Sequence, residues 1–242
     1  MPHRSEDAEV VVRRLVVAYG HRAVLHGVTA RIPRAASTVV VGHNGSGKST
    51  LLGAIAGVVR PVSGTVERRD AGRPALVTQR STVPDTLPIT VREAVSMGRW
   101  ARRGMWRRLS RTDRAMVHEC LTRLGIQDLA ARQLGELSGG QRQRALVAQG
   151  LAQESDLLLL DEPTAGLDTK ARECIAEVLA EVTARGTTVV QATHDLTEAL
   201  RADHCLLLRD GSLAAEGPPA DVLRAVRNRA GFPGTEPEWA AS

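Results

Sequence analysis

The run Gly42-His43-Asn44-Gly45-Ser46-Gly47-Lys48-Ser49-Thr50 brings three glycines, an ammonium group and hydroxyls into one short stretch. Such a set can surround a nucleoside triphosphate. The phosphate oxygens crowd negative charge into a small volume, and closely spaced backbone N–H groups reach them only where side chains are absent. The run follows the apolar Val39-Val40-Val41 and precedes Leu51-Leu52-Gly53-Ala54-Ile55, so it joins a buried strand to a helix. A helix beginning near Lys48 points its unpaired N–H groups and the positive end of its dipole at the same place. Lys48 supplies a mobile point charge for the outer phosphates, and the Ser49 hydroxyl is the expected Mg²⁺ ligand. Of 32 basic residues only Lys48 and Lys170 are lysine, so a compact ammonium is kept where a planar guanidinium would not fit.

Two further clusters carry chemistry. Leu137-Ser138-Gly139-Gly140-Gln141 stands before the helical pattern Arg142 to Leu151, which makes a second anion-binding edge at a helix N-terminus; alone it would also suit an ordinary capping turn. Leu157-Leu158-Leu159-Leu160-Asp161-Glu162-Pro163 reads as a buried strand ending in two carboxylates.

The elements that position these groups follow from the hydrophobic pattern. Strand-like segments at Thr38 to Val41, Ala75 to Thr78, Leu157 to Leu160, Thr188 to Thr193 and Cys205 to Leu208 alternate with amphipathic helical stretches. The expectation is an α/β fold with a largely parallel sheet. About residues 82–150 no internal strand is evident and arginine is frequent, which predicts an inserted helical subdomain. Asp210-Gly211 before Leu213 predicts a terminal hairpin. Residues 229–242, with Phe232-Pro233-Gly234-Thr235-Glu236-Pro237, read as a loose tail.

Composition narrows the classes of function. A 242-residue chain with 43% hydrophobic content can bury a sizeable core. Aromatic residues make up 2%, with one Tyr and one Phe, which argues against a base-stacking nucleic-acid surface. Cys120, Cys174 and Cys205 lie far apart without paired metal-ligand spacing, and nothing at the N-terminus reads as a signal peptide, so a reduced cytoplasmic setting is expected. No apolar run approaches the roughly 18 residues that span a bilayer, so any membrane role needs another chain.

With the phosphate loop beside it, Leu137 to Gln141 resembles the signature of ATP-binding cassette (ABC) ATPases, over a span from about Val10 to Leu223. The resemblance implies a P-loop NTPase of α/β class with a RecA-like core, an N-terminal antiparallel β subdomain and the inserted α-helical subdomain, as one domain over residues 8–228. Its substrate would be ATP with Mg²⁺. The loop from Gly42 to Thr50 would hold the phosphates, and Tyr19, near the start of the first strand pair, would stack on adenine. Asp161 would hold Mg²⁺ with Ser49 and Gln79. Glu162 would polarise the attacking water, and His194 would contact the γ-phosphate. Gln79 would also sense the transport partner. Ser138, Gly139, Gly140 and Gln141, with Asp168 of the loop Ala165-Gly166-Leu167-Asp168, would act across an interface on the nucleotide of a second copy.

The same resemblance implies a homodimer at the cytoplasmic face of the membrane, beneath a separate permease and served by an extracytoplasmic substrate-binding protein, with no nucleic-acid partner. Gln79-Arg80-Ser81, Leu87 to Arg92, Met97-Gly98-Arg99 and Arg107 to Arg114 are similar to ATPases of bacterial manganese, zinc and iron importers. An import role for zinc or manganese is the first reading; import of iron chelate, haem or cobalamin, export, and a soluble non-transport ATPase are the alternatives. Arginines 102, 103, 107, 108, 111 and 114 suit a solvated helix face, a membrane-proximal patch or a nucleic-acid site. Two departures from the family pattern stand out. His43 replaces a frequent proline, and Gln149-Gly150 stands where arginine and alanine are common, with Gly150 expected to weaken its helix by about 1 kcal/mol.

Overall fold

The computed structural model describes residues 8–70, 72–78, 88–100, 104 and 108–229. Two sheets face each other across one helix. In the first, β1 (Ala8–Tyr19) lies between β2 (Arg22–Pro33) and β4 (Ser63–Arg68), antiparallel to both. Val10, Val12, Leu15 and Val17 of β1 are fully buried, although two residues rather than one lie between Val12 and Leu15. A register shift at that point, with Arg14 at φ 44° and its N–H donating to Thr29 Oγ1 at 2.9 Å, restores the alternation.

The second sheet runs β5 (Ala75–Val77), β6 (Leu157–Asp161), β7 (Thr188–Thr193), β3 (Ser37–Val41), β8 (His204–Arg209), β9 (Ser212–Gly217). Its neighbours are parallel except β8 and β9, which form the expected hairpin. The four consecutive leucines of β6 are divided between its two faces. Leu157 and Leu159 join a core with α1 (Lys48–Ala56) and the first sheet, while Leu158 and Leu160 join the helical side.

That helical side holds α2 (Val91–Met97), α3 (Arg111–Arg123), α4 (Gly139–Leu151) and α5 (Thr169–Ala184). Thr90 caps α2, Ser110 caps α3 and Ser138 caps α4, each through a reciprocal bond with the residue three places on. The buried Arg99 guanidinium binds Asp113 at 3.0 Å, Glu154 at 2.6 Å and the Ala152 carbonyl at 2.7 Å, tying α3 to the end of α4. The short α6 (Leu196–Leu200) and α7 (Pro219–Arg229) cover β3 and β8 in a third cluster with Val39, Val41 and Cys205.

Candidate functional site

Three neighbouring strands deliver the reactive groups to one edge of the second sheet. β3 ends at Val41 and opens the phosphate loop, β6 ends at Asp161, and β7 ends at Thr193. The register sets Val41 beside Thr193 and Asp161 beside Ala192, so Gly42, Glu162 and His194 leave the sheet side by side. Ligands of parallel α/β sheets gather at this carboxyl edge.

Gly47 precedes α1 with φ 101°, and a Cβ there would fall 2.6 Å from Leu25 Cδ2, so both the backbone and the packing require glycine. No side chain caps α1, which leaves its first-turn N–H groups for an anion. Lys48 is buried. Its Nζ donates to the carbonyls of Gly42 at 2.8 Å and His43 at 3.2 Å, and lies 3.6 Å from Glu162 Oε1. The other carboxylate oxygen of Glu162 is 3.5 Å from His194 Nδ1. Lys48, Glu162 and His194, spread over the sequence, therefore form one cluster. Glu162 adopts φ 48°, a left-handed conformation that costs a side chain on the order of 1–3 kcal/mol, and its N–H donates to the Ala192 carbonyl at 3.1 Å.

Asp161 accepts a hydrogen bond from Ser49, yet its Oδ1 is buried with no partner. Burial raises its carboxyl above the ordinary range and Glu162 pushes the same way, while the Ser49 bond and Lys48 oppose the shift. A hydroxyl and a free carboxylate oxygen beside a phosphate loop form a donor set suited to a hard divalent cation. The residues present fit Mg²⁺.

The β8–β9 turn supports the loop from behind. Gly211 N–H donates to the Ser46 carbonyl at 3.2 Å, and its own carbonyl accepts from His26 N–H at 2.8 Å. Gly211 has φ 74°, and a Cβ there would fall 2.1 Å from the Val24 carbonyl oxygen. His43 Nε2 stands 3.1 Å from Asp210 Oδ1 and its Nδ1 2.8 Å from the Asn44 carbonyl. The sequence marks Asp210-Gly211 only as a turn; its contact with the phosphate loop has no local signal.

The remaining expected residues occupy separate places. Ser138 Oγ accepts from Gln141 N–H at 3.3 Å while Gln141 Oε1 accepts from Ser138 N–H at 3.1 Å, so these two side chains cap α4. Gly139 and Gly140 form the first turn of α4 beside them. Asp168 caps α5, accepting from Ala171 N–H at 2.8 Å. Tyr19 is the last residue of β1, at the turn into β2 rather than near the start of the strand pair, and its side chain is exposed. Gln79 lies outside the described residues, as do arginines 102, 103 and 107 and the tail from residue 230; Arg108, Arg111 and Arg114 are exposed.

A cavity of about 60 Å³ adjoins the cluster and is lined by Glu162, Thr164, Gly166, Arg172, His194 and Asp195. Sequence reasoning missed Arg172 and Asp195. A larger groove of about 730 Å³ runs between α5 and the starts of β3 and β7, and none of its lining comes from the phosphate loop. The three cysteines are free; burial pushes the thiols of Cys120 and Cys205 up to about 12, which makes them inert core groups.

Residues 25–165 match the model of a family described as ABC transporter. The manganese transport system ATP-binding protein MntB of Halalkalibacterium halodurans is 36% identical over 219 residues, covering 88% of this chain and 87% of that protein. The ferric enterobactin transport ATP-binding protein FepC of Escherichia coli is also 36% identical, over 225 residues that cover 88% and 82%. The dimeric structure of MJ0796, a bacterial ABC transporter cassette, matches with a TM-score of 0.77 at 26% identity over 87% of this chain and 98% of that one.

Proposed function

This chain belongs to the ABC transporter ATPase family, and from that membership we propose that it drives a bacterial importer of manganese or zinc. As a nucleotide-binding ATPase of this family it dimerises and works with membrane permease subunits. The reading that it lies on the cytoplasmic face, and that a substrate-binding protein feeds the permease, rests on the importer assignment. Among the described residues no helix is long and apolar enough to cross a membrane. We read residues 8–228 as a single cassette; Arg229, assigned to the tail from the sequence, is the last residue of α7.

The observation that carries the reading is the Lys48–Glu162–His194 cluster at the carboxyl edge of β3, β6 and β7. The amides of Gly42 to Thr50 and the Lys48 ammonium bind the phosphates of ATP, and Tyr19 stacks on its base. Ser49 and Asp161 would hold Mg²⁺, with Gln79 as a further ligand. When bound there, the ion neutralises charge on the phosphate oxygens. Glu162 Oε takes the proton of a water that attacks the γ-phosphorus, as the bond to ADP breaks. His194 donates to a γ-phosphate oxygen as charge builds. Ser138 to Gln141 and Asp168 face the nucleotide of the second copy.

The importer assignment is supported by the similarity to MntB. FepC, at equal identity, favours a second reading in which the cargo is an iron chelate. Zinc, manganese and iron are quantified together in cells carrying wild-type chain or Glu162→Gln in metal-limited medium. A selective fall in manganese or zinc supports the first reading, and a fall in iron supports the second. Level metals with lost ATPase activity exclude both.

A further inference from the structure

The loop before α5 carries Asp168 and the loop before α6 carries His194, and one side chain joins the two. Arg172, in the first turns of α5, donates from Nη2 to the Leu167 carbonyl at 3.3 Å and from Nη1 to Asp195 Oδ2 at 3.4 Å. Asp195 directly follows His194. Its Oδ1 caps α6, accepting from the N–H groups of Thr197 at 2.7 Å and Glu198 at 3.4 Å. Its own N–H donates to Thr193 Oγ1 at 3.0 Å, and that hydroxyl donates to Glu198 Oε2 at 2.8 Å. Both neighbours of His194 are thus held, while the imidazole faces Glu162 at 3.5 Å.

A helix-stabilising role does not account for Arg172. A cation in the first turns of a helix opposes the helix dipole. The Arg172–Asp195 pair is also partly exposed, with side chains 43% and 31% accessible, so it adds little to stability. What the pair does accomplish is geometric. The two Nη groups of Arg172 bond separately to a carbonyl of one loop and a carboxylate of the other, a span that the planar fork holds in one fixed geometry. Arg172 and Asp195 line the same small cavity as Glu162 and His194.

We propose that Arg172 is a positioning residue for hydrolysis, joining the Asp168 loop to Asp195 and thereby holding His194 against Glu162. The proposal rests on the ATPase reading above. ATP turnover, KM for ATP and melting temperature are measured for wild type, Arg172→Ala, Arg172→Lys, Asp195→Asn and the Arg172→Ala/Asp195→Asn double variant. Arg172→Ala should lower kcat roughly tenfold to a hundredfold with KM changed by less than about twofold, because small misplacements of catalytic groups carry such penalties. Arg172→Lys should recover part of kcat, and the double variant should be no slower than the worse single one. Unchanged kcat in Arg172→Ala, a parallel loss of kcat and melting temperature with no recovery by lysine, or additive losses in the double variant would overturn it. A wild-type chain that binds but never hydrolyses ATP would overturn the ATPase reading instead.

Discussion

Glu162 combines a left-handed backbone, a largely buried carboxylate and two nitrogen neighbours on opposite oxygens, Lys48 Nζ at 3.6 Å and His194 Nδ1 at 3.5 Å. A residue that only ended a strand would not need such a conformation, and backbone strain of this kind gathers at functional sites. Replacing the carboxylate by an amide keeps its shape and removes its basicity. Glu162→Gln should therefore slow turnover by roughly 10²- to 10⁴-fold while ATP still binds and still drives dimer formation, read by single-turnover hydrolysis and size-exclusion chromatography with ATP. Lys48 fails at an earlier step. Its ammonium is held by the Gly42 and His43 carbonyls in the mouth of the loop, where phosphate oxygens offer stronger acceptors. Lys48→Ala should weaken ATP binding about tenfold or more by calorimetric titration, the loss expected for a charge-assisted hydrogen bond.

At the scale of elements, Gly150 reverses its sequence-level expectation. Helix propensity alone favours alanine by about 1 kcal/mol. A Cβ at Gly150, however, would fall 2.5 Å from Val77 Cγ2 and 3.3 Å from Leu158 Cδ1, so glycine is what lets α4 seat on β5 and β6. Gly150→Ala should destabilise the chain by about 1–3 kcal/mol in urea unfolding, the usual range for overpacking. Arg99 fastens the same helical layer by a different means. Without its guanidinium, the fully buried Asp113 carboxylate would lose its paired cation while keeping its bonds from the Ser110 N–H and hydroxyl. Removing one partner of a buried ion pair costs about 3–5 kcal/mol, and Arg99→Ala should lose that much in the same unfolding experiment. Met97-Gly98-Arg99 is similar in sequence to metal-importer ATPases; the fold gives Arg99 a structural task.

Across the whole molecule, stability and pH are linked through a buried acid in the first sheet. Glu9 is 2% exposed; burial raises its carboxyl above the ordinary value, Asp70 adds to the shift, and the Arg34 guanidinium at 3.8 Å opposes it. The folded chain therefore holds this proton to higher pH than the unfolded chain. The stability contributed is fully present below the ordinary carboxylate value and is lost as pH rises through the raised folded value. Glu9→Gln should melt higher than wild type at neutral pH, with the difference shrinking as pH falls below the ordinary carboxylate range, as thermal melts across that range would reveal. The sequence by itself determined the phosphate loop between strand and helix, the carboxylate pair at the end of β6, the capping turn at Ser138 and the parallel strands, because each is written in residues a few places apart and in periods of two or 3.6. Tertiary structure alone decided that Lys48, Glu162 and His194 meet, that Asp210-Gly211 supports the phosphate loop, that Arg172 reaches Asp195, and that Gly150 is a contact point. Those facts depend on hydrogen bonds and close packing between segments far apart in the chain, 167 residues for His43 and Asp210, and such pairs leave no periodic trace.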